Sequence, residues 1–259
     1  MRRLLVLLVA LAALCGLAVP ASAATFQTRE SGVLTVGSQL PNPPFLLGNK
    51  LSSLSGGYEY DMVREIARRL RIREVKWVNF PFEGLVAGAP CPCDFDINGV
   101  SIFPDRRKVV DFSAPYYTVN QGVLAKAGTA TPTRAKARQL KWGASKNSSG
   151  LFYLQNTLKP SGDVRVYPTT IALSQALAAG QIDAAMTDVP IVLDLASKNR
   201  DFKVVGQFRT DEKYGAVLKK GSPNTAILSG VIRRMEAAGF FKRLEKKYFA
   251  KQVQIPVIP

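Results

Sequence analysis

The chain has 259 residues, 47% of them hydrophobic, and carries 35 Lys and Arg against 19 Asp and Glu, with three Cys and no His. This length and hydrophobic content supply a large buried core and exclude a disordered chain. The absence of histidine excludes Ser-His-Asp and Cys-His nucleophiles and every zinc site that uses a His ligand.

The N-terminal residues have the pattern of an export signal. Arg2 and Arg3 precede an apolar run over 4–19, and small residues follow it. The run is too short to cross a bilayer of roughly 30 Å comfortably. We therefore expect a signal peptide over 1–23 and a soluble protein in the periplasm. A lipid anchor on Cys15 is the weaker alternative.

Strand and helix patterns alternate along the rest of the chain. β-branched runs between turn residues predict strands, and apolar residues at helical spacing predict helices. The predicted strands are 33–36, 75–78, 95–100, 182–187 and 214–218. The first predicted helix starts near Asp61, and the later ones are 83–87, 169–179, 227–235 and 240–249. Asp61 is the expected N-cap of the first helix, and 125–138 is a predicted polar loop. The alternation predicts an α/β protein of two domains.

The net charge of +16 comes from basic residues in short groups on the polar faces of predicted helices. We interpret these groups as solvated surface. Export also argues against nucleic acid as a partner, whereas an anionic membrane surface stays open as one.

Two cysteines remain after removal of the signal, in Cys91-Pro92-Cys93. An even pair in an oxidising compartment favours a disulfide. A ring closed by one proline is strained, so this disulfide should be reducible. Free thiols and a metal site stay open as alternatives, and redox catalysis is the interpretation that the pattern favours least.

The most informative segment covers residues 98–117. It places the hydroxyl of Ser101 and the guanidinium of Arg106 just beyond the end of a predicted strand. Ligands of open α/β sheets bind at the carboxyl ends of strands, and a planar guanidinium binds a carboxylate through two parallel hydrogen bonds. The segment therefore points to a carboxylate ligand, with a surface position for this arginine as the ordinary alternative.

Further motifs follow in a specific order across essentially the whole chain after the signal. They are Gly57-Tyr58-Glu59-Tyr60-Asp61, Phe82-Glu83-Gly84-Leu85, Asp105-Arg106-Arg107, Asp111-Phe112-Ser113-Ala114-Pro115-Tyr116, Gly180-Gln181-Ile182-Asp183-Ala184 running to Asp188, and Tyr214-Gly215-Ala216-Val217 before Lys220-Gly221-Ser222. Together they resemble the extracellular solute-binding proteins of family 3, which supply polar amino acids to ABC importers.

The resemblance implies an α/β fold of the type II periplasmic binding proteins, a Venus flytrap with a double-crossover hinge. Lobe 1 would comprise residues 24–118 and 214–259, and lobe 2 would comprise residues 119–213. The ligand would lie between the lobes and favour their closed arrangement, because only differential affinity shifts the populations.

The resemblance also implies roles for individual residues. Arg106 would hold the α-carboxylate of the ligand with help from the hydroxyl of Ser101, and the carbonyl of Gly99 would accept the α-ammonium group. From the other lobe, Asp188 would balance that ammonium group, with helix capping as its structural alternative. The backbone N–H groups of a helix start would face the carboxylate. This start comprises Asn147, Ser148 and Ser149, where simple N-capping by the serines is the alternative.

Three residues are expected to decide which side chain the ligand carries. Phe82 occupies a position where relatives stack an aromatic ring on the ligand, although a core position is its alternative. Gln39 stands where relatives that bind cations have an acid, and Asn42 stands where many have a second aromatic ring. Burying an unpaired cation is costly, so a neutral polar or acidic amino acid is favoured over a cationic one.

These observations predict a monomeric binding protein without a cofactor or metal, which passes a small amino acid or related carboxylate to a membrane ABC permease. A periplasmic dehydratase of the prephenate or arogenate type on the same scaffold is the first alternative. It would need an acid that protonates a leaving hydroxyl group, and the candidates are Glu83 and Asp188. A sensor domain is disfavoured, because no anchor or further module follows Pro259.

Overall fold

The computed structural model describes residues 25–249 and 254–259, and the predicted signal peptide lies outside them. The strands are β1 (Val33–Ser38), β2 (Glu74–Asn79), β3 (Phe95–Asp96), β4 (Val110–Phe112), β5 (Tyr117–Lys126), β6 (Trp142–Ser145), β7 (Arg165–Tyr167), β8 (Ala184–Asp188), β9 (Phe202–Tyr214) and β10 (Val217–Lys219). The α-helices are α1 (Tyr58–Leu70), α2 (Phe82–Ala87), α3 (Pro104–Val109), α4 (Arg134–Ala137), α5 (Ser149–Tyr153), α6 (Thr170–Ala178), α7 (Val189–Lys198), α8 (Asn224–Ala237) and α9 (Phe240–Phe249). This alternation confirms the predicted α/β class.

The strands form two mixed sheets with the orders β2-β1-β3-β10-β4 and β7-β6-β8-β5-β9. In the first sheet β1 runs parallel to β2 and β3, and β10 runs antiparallel to β3 and β4. In the second sheet β6 runs parallel to β7 and β8, and β5 runs antiparallel to β8 and β9. Buried apolar clusters lie against both sheets, so each sheet with its helices forms a lobe with its own core.

Two long strands carry the chain between the lobes. β5 follows β4 of the first sheet and β9 precedes β10, and the two pair antiparallel from Tyr117 opposite Tyr214 to Lys126 opposite Phe202. The predicted lobe boundaries at 118/119 and 213/214 fall on these two strands. The chain therefore leaves the first sheet and returns to it along one antiparallel ribbon.

The C-terminal segment 254–259 lies on the second lobe, although the predicted boundaries assign it to the first. The N–H of Ile258 donates to the carbonyl of Gln207 at 2.8 Å, and the N–H of Gln207 donates to that of Pro256 at 2.8 Å. The side chain of Ile258 is 2% exposed and belongs to the core beneath the second sheet. An apolar segment packs where uncovered apolar surface is available, and sequence periodicity does not show where that is.

The first predicted helix begins earlier than its expected cap. α1 starts at Tyr58, and the N-cap is Gly57 with a φ of 118°. Only glycine adopts this φ readily. The helix therefore begins three residues before Asp61, the expected cap. The carboxylate of Asp61 instead accepts hydrogen bonds at 2.7 Å from Lys247 and Tyr248 of α9.

Three other segments differ from their predicted extents. The strand predicted over 95–100 is limited to β3, since Gly99 turns the backbone with a φ of 60°. Tyr214 ends β9 and does not begin the next strand, β10. The polar loop predicted over 125–138 includes the end of β5 and the helix α4, which the hydroxyl of Thr133 caps.

A disulfide joins Cys91 and Cys93 in the loop before β3, which is one of the states that the sequence left open. Among the described residues no helix combines the length and the hydropathy that a membrane span requires.

Candidate functional site

A cavity of about 80 Å³ lies between the lobes, where the carboxyl ends of the parallel strands meet. Eight of the residues singled out from the sequence line it, and they come from both lobes. These are Gln39, Asn42, Phe82, Gly99, Arg106, Ser148, Ser149 and Asp188. Ser101 and Asn147 lie beside the cavity. The hydroxyl of Ser101 donates to Glu212, and the carbonyl of Asn147 accepts from Arg106.

Arg106 is fixed in place by both lobes. Its Nη1 donates to the carbonyl of Ser101 at 2.9 Å, and its Nη2 donates to the carbonyl of Asn147 on the other lobe at 2.8 Å. The guanidinium also lies 5.7 Å from the ring centre of Phe82 and 5.1 Å from that of Phe103. A guanidinium has five N–H donors, so these two bonds orient the group and leave further donors for a ligand.

Burial lowers the pKa of Arg106, and the nearby carboxylates of Glu212 and Asp188 act against this shift. The group stays cationic, because an arginine guanidinium does not lose its proton in proteins. The cavity therefore holds a partly desolvated positive charge, which suits a carboxylate.

Asp188 ends β8 and is the N-cap residue of α7, but its side chain makes no capping hydrogen bond. Its carboxylate accepts hydrogen bonds from the hydroxyl of Tyr214, the amide of Gln121 and the hydroxyl of Ser149. Burial, and after it the neighbouring Glu212, raise the pKa of Asp188 to about 7. Positive charge placed beside this carboxylate would stabilise its ionised form.

The hydroxyl of Ser101 is used inside the protein. It donates to Glu212, whose other carboxylate oxygen accepts from the amide of Gln121 at 3.0 Å. Ser101 is 1% exposed. The contact between this hydroxyl and a ligand carboxylate therefore stays a prediction, while the carbonyl of the same residue positions Arg106.

Gly99 occupies a point where a side chain has no room. A Cβ there would lie 3.2 Å from the ring of Tyr214, and the φ of 60° disfavours other residues as well. Its N–H donates to the carboxylate of Glu59 at 2.7 Å. The proposed contact of its carbonyl with an ammonium group stays a prediction.

Asn147 lies in the turn before α5. This residue has a φ of 59°, in the left-handed region that asparagine tolerates better than most residues. The hydroxyl of Ser148 accepts from the N–H of Leu151 at 3.1 Å, so Ser148 is the N-cap. Ser149 joins the network of Asp188.

Gln39 and Phe82, which also line the cavity, are linked. The amide oxygen of Gln39 accepts from the N–H of Phe82 at 2.8 Å. Asn42 is buried, and its amide donates to Glu59 at 3.4 Å. The ring of Phe82 is half-buried, since it packs against the first lobe's core and also lines the cavity.

The family model for bacterial extracellular solute-binding proteins, family 3, matches residues 34–251. The chain belongs to this family. The L-cystine-binding protein TcyJ of Escherichia coli is 28% identical over 236 residues, which cover 88% of this chain and 86% of that protein. An L-arginine-binding protein of Pseudomonas aeruginosa is 28% identical over 230 residues, with 84% and 88% covered. The solved structure of an ancestral arginine-binding protein bound to glutamine has a TM-score of 0.76 at 25% identity, covering 86% of this chain and 100% of that one.

Membership of the family confirms the predicted type II periplasmic-binding-protein fold and the general role in solute binding and transport. The family model and the named relatives describe solute-binding proteins of transporters and not enzymes. The family is extracellular or periplasmic, which agrees with export.

Sequence reasoning missed several residues that support the site of this solute-binding protein. Gln121 connects the two carboxylates of Asp188 and Glu212, and Glu59 anchors Gly99. Lys146 lines the cavity and forms an ion pair with Glu83 across the cleft at 2.7 Å. Glu59 was visible within the first quoted motif, but its partner lies 40 residues away along the chain.

Proposed function

We propose that this protein captures one amino acid with a neutral polar or acidic side chain and delivers it to the membrane permease of an ABC importer. Relatives that bind cystine and arginine by name, and an ancestral protein that holds glutamine, support an α-amino acid as the ligand. The ligands in these names have different side chains, so the choice among amino acids rests on the cavity of this chain.

The observation that carries the proposal is that Arg106 and Asp188 line one cavity from opposite lobes. An amino acid has a carboxylate and an ammonium group about one carbon apart. A guanidinium suits the first group, and a buried carboxylate suits the second. A ligand that contacts both residues must contact both lobes, so it favours the closed arrangement.

The preference for a neutral or acidic side chain follows from the charges around the cavity. Among the described residues that line it, Asp188 is the single carboxylate, while Arg106 and Lys146 are cationic. A ligand with a cationic side chain carries two positive charges, and one of them would lack a partner in the cavity. Leaving a buried charge unpaired costs several kcal/mol.

Gln39 offers a polar group at the end where the ligand side chain would lie. Its amide oxygen is occupied by the N–H of Phe82, which leaves the amide NH₂ directed to other acceptors. A carbonyl or carboxylate on the ligand side chain would accept from such a donor. Asn42 has its NH₂ committed to Glu59 instead, so it shapes the cavity without presenting a charge.

The test is a thermal-shift screen of the twenty amino acids and cystine with the purified exported protein. A ligand at 100 times its Kd stabilises the folded state by about 2.7 kcal/mol, which is readily measured. We expect shifts from neutral polar or acidic amino acids and none from arginine or lysine. Arg106→Ala should abolish every shift, and Arg106→Lys should retain only part because it keeps the charge without the planar fork.

Gln39→Ala serves as the matched control, because it should change the ranking of the amino acids while binding persists. Wild-type binding by Arg106→Ala would overturn the carboxylate assignment. A largest shift from arginine or lysine would overturn the assignment of the ligand class while leaving the amino-acid site intact. Delivery is tested separately by uptake of the identified amino acid in a strain that lacks this chain, with wild type and Arg106→Ala reintroduced.

A further inference from the structure

The loop before β3 places a disulfide beside a buried carboxyl group. The disulfide joins Cys91 and Cys93, and an Oδ of Asp96 lies 3.3 Å from the Sγ of Cys93. Asp96 is 7% exposed. The residues around this group and those around the ligand cavity form two separate sets, so the carboxyl group has no part in the capture of the amino acid.

In a hydrogen bond between Asp96 and the sulfur of Cys93, only Asp96 can be the donor. A sulfur in a disulfide carries no proton, so a hydrogen bond between the two groups requires the proton on Asp96. Burial raises the pKa of Asp96 to about 7, which keeps the acid form present near neutral pH. A proton donor therefore faces the sulfur that becomes a thiolate when the disulfide is cleaved.

Gly37 of β1 makes the space in which these groups meet. A Cβ at this position would lie 2.1 Å from Asp96 Oδ1, 2.8 Å from Cys91 Sγ and 3.1 Å from Cys93 Sγ. Any larger residue would collide with the carboxyl group and with both sulfurs. The backbone of β1 therefore forms the floor of this cluster.

A cavity of about 240 Å³ gives access to both sulfurs. Its ionisable lining residues are Arg29, Lys219, Asp94 and Asp96. The carboxylate of Asp94 accepts the backbone N–H groups of Arg29 and Thr35, each at 2.7 Å, and so holds the loop against β1. Below about pH 7, where Asp96 keeps its proton, the two cations outnumber the carboxylate of Asp94, so the cavity then favours molecules with negative charge.

We propose that Cys91 and Cys93 form a thiol–disulfide exchange site for small thiols that carry carboxylate groups, with Asp96 as the proton donor to the sulfur of Cys93. The charge of the cavity selects the thiol, and the carboxyl group assists its reaction. A ring closed through a single residue between the cysteines favours opening.

The exchange proceeds in two steps. The thiolate of the small thiol attacks the Sγ of Cys91, a mixed disulfide forms, and the electron pair of the broken S–S bond goes to Cys93, which takes the proton of Asp96. A second thiolate attacks the sulfur of the small thiol in the mixed disulfide and releases Cys91 as a thiolate. Two thiols are oxidised to one disulfide, the protein disulfide is reduced to a dithiol, and Asp96 and Cys91 regain protons from water.

The first experiment compares three thiols of similar size that differ in charge: mercaptoacetate, 2-mercaptoethanol and cysteamine. Reduction of the protein below pH 7 is followed by alkylation and mass spectrometry. Each rate is divided by the rate at which the same thiol reduces an uncharged small disulfide under the same conditions, which cancels differences in thiolate fraction and intrinsic nucleophilicity. We expect the order mercaptoacetate, mercaptoethanol, cysteamine, with about a tenfold span at low salt that shrinks at high salt. Lys219→Glu should reverse the order, while Lys203→Glu, an exposed lysine of β9 in the other lobe, should leave it unchanged.

The second experiment tests Asp96. In the wild type, the rate per thiolate should fall as the pH rises through about 7, because Asp96 then loses its proton. The rate of Asp96→Asn should not show this fall with rising pH, and at low pH it should be about tenfold or more below that of the wild type. A far-UV circular dichroism spectrum and a cooperative unfolding transition like those of the wild type confirm that this variant is folded, whatever ligand the protein binds. Equal rates of the three thiols relative to the uncharged reference disulfide, or a wild-type pH profile in Asp96→Asn, would overturn the proposal.

Discussion

At the scale of single residues, Asp188 has a buried carboxylate with neutral hydrogen-bond partners. This arrangement costs stability in the free protein and suits a positively charged ligand group. Asp188 is 8% exposed, and its partners are the neutral groups of Tyr214, Gln121 and Ser149. Its raised pKa shows that burial disfavours the ionised form in the free protein. A bound ammonium group would supply the missing opposite charge.

Asp188→Asn should therefore separate binding from stability. The variant keeps the size of the side chain and removes a charge that is buried without a directly bonded cation, so at pH 7 its unfolding temperature should equal or exceed that of the wild type. Its affinity for the amino acid should fall by about 2–5 kcal/mol, the usual cost of truncating a buried charge pair. Calorimetric titration and thermal unfolding measure the two effects.

Asp194→Asn, on the helix that follows Asp188 and paired with the exposed Lys198, is the matched control and should leave affinity unchanged. If Asp188→Asn binds the amino acid as tightly as the wild type, the ammonium group is held elsewhere.

At the scale of elements, the C-terminal segment joins a lobe that its position in the sequence does not suggest. It follows α9, which packs on the first lobe, yet its backbone pairs with Gln207 of β9 in the second. Gly206 next to that residue leaves room for the tail, since a Cβ there would lie 2.8 Å from the side chain of Ile258. Residues 254–259 thus pack on the second lobe, whereas α9 packs on the first.

Ile258→Ala tests the contribution of this segment to the second lobe. The substitution removes a buried side chain from a packed core, so we expect a loss of about 2–5 kcal/mol in the free energy of unfolding. Val257→Ala is the control, because Val257 is 40% exposed and should cost well below 1 kcal/mol. Urea denaturation compares the two variants, and equal midpoints would show that the tail does not stabilise the lobe.

At the scale of the whole molecule, three buried carboxyl groups determine how stability depends on pH. Burial raises the pKa values of Glu59, Asp96 and Asp188 to about 7 each. The folded chain therefore keeps protons that the unfolded chain releases from about pH 4 upwards. The chain has no histidine, so no imidazole titrates in the same range.

We expect the unfolding temperature to fall as the pH rises from 5 to 8. Where the folded state binds more protons than the unfolded state, stability decreases with rising pH. The combined loss is on the order of a few kcal/mol. Glu65, whose pKa two arginines lower to about 2, acts in the opposite direction, but only in acid below this range.

Glu59→Gln should flatten the profile, and thermal unfolding across this range measures it. Glu74→Gln, at an exposed position of β2, should leave the profile unchanged. A wild-type stability that rises from pH 5 to 8 would contradict the assignment of buried acid forms.

The sequence alone determined the α/β class, most of the helices and strands, and the family, because these follow from local periodicity and from short motifs in a fixed order. It also singled out Arg106, which lies a few residues beyond a predicted strand. The resemblance to the family singled out Asp188, Gln39 and Phe82, and all four residues line the cavity.

Only the tertiary structure decided the contacts between residues that are distant along the chain. The hydroxyl of Ser101 donates to Glu212, 111 residues away, and not into the cavity. The sequence also did not predict the lobe on which Ile258 packs or the burial of Asp96 beneath the disulfide. Periodicity reports on neighbours within a few positions, whereas the partner and the exposure of a polar group depend on which surfaces the folded chain brings together.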